Sequence, residues 1–202
     1  MSLRTPARAY PLQPRDCYYT PRHATEVLLR HGDEIGLFRR GEIWECAAGA
    51  GHMARVLAQH GHRVLATDVA PPLRQLHPVT QMDFLTSTGP SSSLLSIVTN
   101  PPYGQQSRLA LAFLTRAFTL MERRLGAIAL LLPFEFDAPA SRNALVGAHP
   151  WFVGKVTSNR RIRWANLVQK KNPPMGHHAW FIWSNELAVQ RRARALPHMV
   201  SA

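Results

Sequence analysis

The chain has 202 residues, of which 46% are hydrophobic and 18% charged, so it can bury the core of one domain but not of two. No stretch approaches the roughly 18 consecutive apolar residues of a membrane helix, and no apolar run follows the N-terminal arginines as in a secretory signal. Cys17 and Cys46 are too few for a disulfide framework or a cysteine-based zinc site. We therefore expect a globular, cytoplasmic protein.

Positive charge is concentrated at the two ends of the chain. The 24 lysines and arginines outnumber the 12 acids, giving a net charge of +12. Residues 1–15 carry three arginines and no acid, and residues 155–202 carry nine basic residues against Glu186 alone. We expect a basic flexible arm over 1–15, a catalytic core over 16–185 and a basic C-terminal tail over 186–202. The basic ends indicate either a surface that faces a polyanion or charge that only keeps the chain soluble.

Helix and strand patterns alternate along most of the chain. Helices are predicted over 21–32, 52–60, 107–122 and 138–147, and strands over 42–46, 63–67, 94–99, 126–132, 151–157 and 178–183. Such alternation predicts a parallel sheet with right-handed crossovers. The last two strands are joined by a polar connection that bears prolines and no clear helix, the basic segment (residues 158–177). We therefore expect these two strands to pair in antiparallel fashion.

A turn of small residues, Glu-Cys-Ala-Ala-Gly-Ala-Gly (residues 45–51), joins the first strand to the next helix. Small residues allow ligand atoms to approach the backbone closely. The first strand ends in Glu45 and the second in Asp68, where ribose hydroxyls would find an acceptor. The spacing is neither that of a G-x-G-x-x-G fingerprint nor that of a P-loop. A dinucleotide, an adenosine-containing ligand and ordinary packing of helix on strand all remain open at this point.

The run from Trp44 to Val69 resembles the nucleotide-binding half of class I S-adenosylmethionine-dependent methyltransferases, and the wider resemblance spans roughly residues 16–185. It implies a single Rossmann-like α/β domain with a seven-stranded, mostly parallel sheet, an antiparallel last strand and helices on both faces. It also implies S-adenosyl-L-methionine as the cofactor, with the glycine turn at its methionine part and Asp68 at its ribose.

Two further motifs extend this resemblance. The run Tyr18-Tyr19-Thr20-Pro21 resembles the Tyr-x-Thr-Pro motif of amino-methyltransferases, and Asp83-Phe84 resembles the pair that receives the adenine of the cofactor. The implied cofactor residues are therefore Tyr18, Thr20, Pro21, Glu45, Ala47, Gly49, Gly51, Asp68, Asp83 and Phe84.

The sharpest motif is Asn100-Pro101-Pro102-Tyr103, which follows a predicted strand. It resembles the signature of methyltransferases that act on a planar nitrogen, namely adenine N6, cytosine N4 or glutamine N5. Two acceptors, the Asn100 side-chain oxygen and the Pro101 carbonyl, would bind the two N–H groups and draw the lone pair toward the methyl group. The prolines fix the backbone, and Tyr103 would offer a face for stacking. A second Asn-Pro-Pro, at residues 172–174, follows two lysines, and we interpret it as a loop.

The order of the motifs resembles that of the adenine-N6 subgroup, which favours adenine in DNA as the substrate. The basic segment resembles the corresponding part of phage-like and bacterial adenine methyltransferases. Its phosphate contacts would be Arg160, Arg161, Arg163, Lys170 and Lys171. The catalytic fold leaves no room for a separate target-recognition domain, so RNA stays open as a substrate. A protein glutamine or a small molecule also stays open as the substrate, as does a non-catalytic nucleic-acid-binding module.

Other chemistries are less well supported by the sequence. Neither cysteine lies in the Pro-Cys pair typical of carbon methylation. No two of the ten histidines have helical spacing with an acid nearby, so we expect no metal. Trp164 either stacks on a base or packs in the core, whereas Trp180 and Trp183 are expected in the core or on a strand surface.

Overall fold

The computed structural model describes residues 16–38, 41–93, 95–157, 161–165 and 177–194. The predicted basic arm, residues 1–15, lies outside this part of the chain. The strands are β1 Glu42–Glu45, β2 Arg63–Asp68, β3 Thr80–Gln81, β4 Leu95–Thr99, β5 Ala127–Pro133, β6 Phe152–Thr157 and β7 His178–Ser184. The helices are α1 Arg22–Ile35, α2 His52–Gln59, α3 Arg108–Met121 and α4 Leu187–Arg194, with short 3-10 turns at Gln105–Ser107 and Ala140–Arg142.

The seven strands form one sheet in the order β3-β2-β1-β4-β5-β7-β6. Strands β1 to β5 are parallel to one another, and β7 inserts between β5 and β6, antiparallel to both. The predicted sheet with an antiparallel last strand is therefore confirmed. Because β6 runs in the same direction as β5, the basic segment leaves the sheet at the edge where β4 and β5 also end.

Helices cover both faces of the sheet, as predicted. On one face, Leu28 of α1, Leu57 of α2 and Val189 of α4 share a buried core. On the other face, Leu114 and neighbouring residues of α3 form a second core. Each core thus lies between the sheet and its covering helices.

Two tryptophans of β7 show how the strand serves both cores. Trp180 and Trp183 are three residues apart, so their side chains point to opposite faces of the sheet. The Trp180 Nε1 donates to the Ala24 carbonyl at 2.8 Å, and the Trp183 Nε1 donates to the Leu145 carbonyl at 3.0 Å. Both indoles are fully buried, which confirms their expected core positions.

The helix predicted over 138–147 is wrong. This stretch forms the 3-10 turn Ala140–Arg142 followed by further turns, with hydrogen bonds from Asn143 to Ala140 and from Leu145 to Arg142. Arg142 also donates to the carbonyls of Phe136 and Gln106. Its two large apolar side chains, Leu145 and Val146, are adjacent near the end of the segment and form no stripe at helical spacing, so short turns around Arg142 replace the helix.

Two elements had no sequence prediction. Strand β3 has only two residues, both exposed, and therefore lacks a hydrophobic pattern. Helix α4 forms the beginning of the predicted C-terminal tail, and its Val189 is buried. Among the described residues, no helix has the length and apolar character that crossing a bilayer requires.

Candidate active site

A cavity of about 530 Å³ opens where the four parallel strands β3, β2, β1 and β4 end. One polar side chain follows or closes each strand and lines the cavity: Asp83 after β3, Asp68 on β2, Glu45 on β1 and Asn100 after β4. The carboxyl ends of parallel neighbours meet at one edge of the sheet. Strands β1 and β4 also flank the point where the strand order reverses, which is where open α/β sheets bind ligands.

The glycine turn is fixed to the end of β2 through Asp68. The backbone N–H groups of Gly49 and Ala70 donate to the two Asp68 carboxylate oxygens at 2.8 and 2.9 Å. Gly49 has a φ of +53°, and a Cβ there would lie 3.2 Å from the Tyr19 ring. The turn therefore requires glycine at this position both for its backbone conformation and for the space beside Tyr19.

Gly51 serves the fold rather than the wall of the cavity. It precedes α2 with a φ of +77°, and a Cβ there would come within 3.0 Å of the His77 backbone. Of the residues implied by the resemblance, Gly51 and Pro21 do not line the cavity. Pro21 is instead the N-cap of α1, where its carbonyl accepts from the Ala24 N–H. The implied residues that do line it are Tyr18, Thr20, Glu45, Ala47, Gly49, Asp68, Asp83 and Phe84.

Glu45 places an incompletely satisfied carboxyl group in the cavity wall. The residue is only 3% exposed, and its Oε2 has no hydrogen-bond partner. Burial raises the pKa of Glu45 well above its ordinary value, and a hydrogen bond from the Ala54 backbone offsets this only in part. The nearby Asp68 raises the pKa further. A cationic hydrogen-bond donor in the cavity would satisfy the free oxygen and favour the ionised form.

The cavity as a whole is acidic. Asp16, Glu45, Asp68 and Asp83 line it, and the described lining residues include no lysine or arginine. Charges of one sign in a cleft attract ligands of the opposite sign. The pyrophosphate of a dinucleotide would meet repulsion here, so the cavity suits a ligand that carries positive charge.

The Asp83-Phe84 pair forms the far wall. The Asp83 side chain is exposed and accepts from the Leu85 N–H at 2.9 Å. The Phe84 ring is buried, lying edge-on to Trp44 and stacked on Phe113 at 4.8 Å. This wall combines an apolar ring with a carboxylate at the opening, which suits one end of a planar heterocycle.

Sequence reasoning missed three aromatic residues of the wall, Tyr19, His52 and Phe113. The Tyr19 ring stacks on the His52 ring at 4.5 Å, and both line the cavity. Burial lowers the pKa of His52, so the neutral imidazole is favoured. For Tyr19 and His52 the signal was present in the sequence, because His52 directly follows the glycine turn and Tyr19 lies inside the Tyr-x-Thr-Pro motif.

The Asn100 amide is held from both sides. Its Nδ2 donates to the Tyr18 carbonyl, and its Oδ1 accepts from the Tyr103 hydroxyl, each at 3.0 Å. A backbone carbonyl can only accept, so the amide nitrogen must face Tyr18 and the oxygen must face Tyr103. A carbonyl oxygen has two lone pairs, so Oδ1 keeps one for a further donor. Next to it, Pro102 lines the cavity, whereas Pro101 is buried and does not.

Tyr103 is placed differently from the stacking role expected of it. The residue is only 9% exposed, does not line the cavity, and stacks on the His178 ring at 5.9 Å. Its hydroxyl lies 3.0 Å from the Asn100 oxygen and 3.3 Å from the Leu131 carbonyl. The buried Tyr103 therefore orients Asn100 in this structure and does not present a face to a substrate.

The described part of the basic segment, residues 161–165, packs behind the cavity wall, against Tyr18 and Tyr19. Its side chains alternate, with Arg161 and Arg163 exposed and Ile162 and Trp164 buried. The Ala165 N–H donates to the Tyr19 carbonyl at 2.9 Å. The Trp164 ring is 3% exposed, so packing in the core is confirmed over base stacking. The remaining predicted phosphate contacts, Arg160, Lys170 and Lys171, lie outside the described residues.

Over the described ranges, no three His, Cys, Asp or Glu side chains are grouped as a metal site would require.

No family model matches the chain, and no curated protein matches it by sequence. Its fold does match solved structures. A candidate RNA methyltransferase from Pyrococcus horikoshii superimposes with a TM-score of 0.61 at 15% identity, over 86% of this chain and 89% of that one. A candidate class I S-adenosylmethionine-dependent methyltransferase from Listeria monocytogenes gives 0.56 at 12% identity, over 87% and 62%. The chain has the class I methyltransferase fold.

One matching structure of this fold was solved with ligands. The 1,6-didemethyltoxoflavin-N1-methyltransferase of Burkholderia thailandensis, with bound 1,6-didemethyltoxoflavin and S-adenosylhomocysteine, superimposes with a TM-score of 0.50 at 14% identity. The match covers 81% of this chain and 76% of that one. At these identities the comparisons establish the methyltransferase fold, and the substrate has to be argued from the site itself.

Proposed function

We propose that this chain is an S-adenosylmethionine-dependent N-methyltransferase that acts on the exocyclic amine of adenine in a nucleic acid, with DNA favoured. One observation carries the proposal: an acidic cavity with a free Glu45 oxygen lies next to an asparagine amide whose oxygen is held in place. The first feature suits a cationic cofactor, and the second suits a substrate that has N–H groups to donate.

The residues present fit S-adenosylmethionine. Glu45 Oε2 would accept from the ammonium of the methionine part, and the second lone pairs of the Asp68 carboxylate would accept from the ribose. Asp83 and Phe84 would receive the adenine. When bound, the cofactor supplies a methyl group on a positively charged sulfur, and the acidic cavity favours this charge over the anionic pyrophosphate of a dinucleotide.

Asn100 would act on the substrate nitrogen. The lone pair of an exocyclic amine is delocalised into the ring, which makes the nitrogen a poor nucleophile. An amine that donates to Asn100 Oδ1 is oriented, and its lone pair turns out of the ring plane as the nitrogen becomes tetrahedral. Because Tyr18 and Tyr103 fix the amide beforehand, little reorganisation accompanies the reaction.

The distribution of charge supports a nucleic acid as the substrate. The cavity is lined by acids, while the exposed Arg161 and Arg163 follow β6 at the same edge of the sheet. Arginines at this edge would contact phosphates, and the cavity would take one base. In a duplex, the amine is inaccessible until the base leaves the stack, so the target is either a flipped base or a single strand.

The test is transfer of a labelled methyl group from S-adenosylmethionine to DNA, RNA and total protein in parallel. We expect label in nucleic acid, with more in DNA than in RNA, and loss of that label in Asn100→Ala. Asn172→Ala, in the second Asn-Pro-Pro, is the matched control and should retain activity. Label in protein alone, or equal labelling by Asn100→Ala, would contradict the proposal.

A further inference from the structure

We propose that Trp164 and His178 are positioning residues that hold the Asn100 amide in place through Tyr18 and Tyr103, and so link the basic segment to the reacting group. This inference rests on the proposed function, because it assigns Asn100 to the chemical step. Neither residue touches the expected substrate atoms, so their effect would be exerted through the two tyrosines.

The five residues form a closed circuit of contacts. The Tyr103 ring stacks on His178 at 5.9 Å, and the His178 ring meets Trp164 edge-on at 5.0 Å. The Trp164 ring packs on Tyr18 at 5.5 Å. Asn100 closes the circuit, since it donates to the Tyr18 carbonyl and accepts from the Tyr103 hydroxyl. Each tyrosine therefore holds the amide on one side and an aromatic partner on the other.

Three of the five residues are buried, so they have little freedom to move independently. Trp164 is 3% exposed, Tyr18 7% and Tyr103 9%. His178 opens β7 opposite Pro133, two residues beyond the Leu131 carbonyl that also faces the Tyr103 hydroxyl. Packed rings of this kind restrict the rotamers of their neighbours, and a reacting group held in this way keeps its productive geometry.

The circuit includes one residue of the basic segment, Trp164, whose neighbours are also anchored. Ile162 is buried in the core that also holds Trp164, and the Ala165 N–H donates to the Tyr19 carbonyl. Arg161 and Arg163 alternate with these anchored residues and face outward. A polyanion that binds the two arginines therefore contacts the segment whose Trp164 packs on Tyr18. We infer that losing Trp164 affects catalysis more than it affects cofactor binding.

The experiment compares the full-length protein with His178→Leu and Trp164→Leu, which remove the aromatic contacts. His178→Phe keeps a ring between Tyr103 and Trp164 and should rescue. Trp183→Leu removes a buried indole from the other face of the sheet and is the matched control for general loss of packing. If Trp164→Leu does not fold, the partly exposed His178 still provides a variant that breaks the circuit.

The first readout is the NMR signal of the Asn100 side-chain amide, assigned with Asn100→Asp, together with its hydrogen-exchange rate. We expect both to change in His178→Leu and Trp164→Leu, and to stay near the wild type in His178→Phe and Trp183→Leu. An Asn100 amide signal unaffected by either leucine variant would overturn the proposal. This readout needs no substrate, so it remains decisive even if the wild type transfers no methyl group and the proposed function fails.

The second readout is kinetic. Single-turnover methyl transfer should fall on the order of tenfold to a hundredfold in the leucine variants, because a small misplacement of a reacting group is costly. The affinity for S-adenosylhomocysteine should stay near that of the wild type. Equal losses of cofactor affinity and turnover would show a merely structural role and overturn the assignment of Trp164 and His178 as positioning residues.

Discussion

The proposed site, the cavity together with the residues packed behind its wall, has two sides that are built in different ways. The proposed cofactor side (residues 45–85) is acidic and comes from one stretch of chain, in which carboxylates at successive strand ends meet backbone N–H groups. The proposed substrate side (residues 18–19, 100–103, 161–165 and 178) is aromatic with a basic rim, and is assembled from four distant segments. The two sides should therefore fail in different ways: changes on the first should reduce cofactor affinity, and changes on the second should reduce turnover.

The largest expected effect is on the substrate side, at Asn100. Asn100→Ala removes the acceptor for the amine and should lower single-turnover methyl transfer by about 10²-fold or more, since such interactions strengthen in the transition state. Calorimetry with S-adenosylhomocysteine should give nearly wild-type affinity. Asn172→Ala is the control. A large loss of cofactor affinity in Asn100→Ala would contradict the assignment of Asn100 to the substrate side alone.

The next largest effect is expected at the glycine turn. Gly49→Val places a branched side chain against Tyr19 at a positive φ, and Asp68→Ala leaves the Gly49 and Ala70 N–H groups without their acceptor. Each should weaken S-adenosylhomocysteine binding by about tenfold or more, as unmet buried groups cost roughly 1–3 kcal/mol. Gly61→Val controls for backbone strain, because Gly61 has a φ of +86° with open space around it. Unchanged affinity in both test variants would contradict cofactor binding at the glycine turn.

Glu45 should make cofactor binding depend on pH. Burial raises its pKa well above the ordinary value, which favours the protonated form in the free protein. A bound ammonium favours the carboxylate, so binding below the raised pKa should release a proton, and affinity should rise with pH up to that pKa. Calorimetry in buffers of different ionisation enthalpy measures this release. Glu45→Gln should abolish it and weaken binding by about tenfold. Undiminished proton release in Glu45→Gln would assign it to another group.

The basic rim, which consists of Arg161 and Arg163, should govern the salt dependence of nucleic-acid binding. Replacing Arg161 and Arg163 by alanine should reduce the slope of log affinity against log salt by up to about 1.8, since each phosphate neutralised contributes about 0.9. Arg30→Ala with Arg63→Ala is the matched control, because both side chains are exposed and lie on α1 and at the start of β2. Equal slopes in the two double variants would mean that net charge, and not the rim, holds the nucleic acid.

The smallest effect separates the hydroxyl of Tyr103 from its ring. The sequence predicts a mild Tyr103→Phe because a stacking face survives, and the structure assigns the role to the hydroxyl that faces Asn100. Loss of one buried hydrogen bond of about 0.5–1.5 kcal/mol should lower turnover about two- to tenfold, with cofactor affinity unchanged. Tyr103→Leu also removes the contact with His178 and should lower turnover further. Wild-type turnover in Tyr103→Phe would contradict a role of this hydroxyl in orienting Asn100.

The two sides also differ in how far the sequence predicts them. The cofactor side follows from local rules, since Glu45 and Asp68 close hydrophobic strands and Gly49 lies in a turn that admits only small residues. The substrate side depends on the insertion of β7 between β5 and β6, which brings His178 to Tyr103. No pattern near residue 103 or 164 indicates that contact, so the sequence predicts a substrate-stacking role for Tyr103 instead.

Two smaller elements also depend on contacts that a local sequence pattern does not reveal. The parallel strands and the antiparallel pairing of β6 with β7 follow from strand patterns and from the helix-free basic segment. The turns around Arg142 depend on carbonyls of Phe136 and Gln106, one of them far away in the sequence, and so a helix was wrongly predicted there. Strand β3 exists only because β2 offers an edge to two exposed residues.

The most direct test of adenine methylation by this protein is the position of the transferred methyl group. DNA and RNA would be incubated with methyl-deuterated S-adenosylmethionine and the protein, then digested to nucleosides and analysed by mass spectrometry. We expect deuterated methyl on the exocyclic nitrogen of adenine, and its loss with Asn100→Ala. Deuterated methyl on a ring carbon or a ribose oxygen, at a rate that Asn100→Ala does not change, would contradict this function.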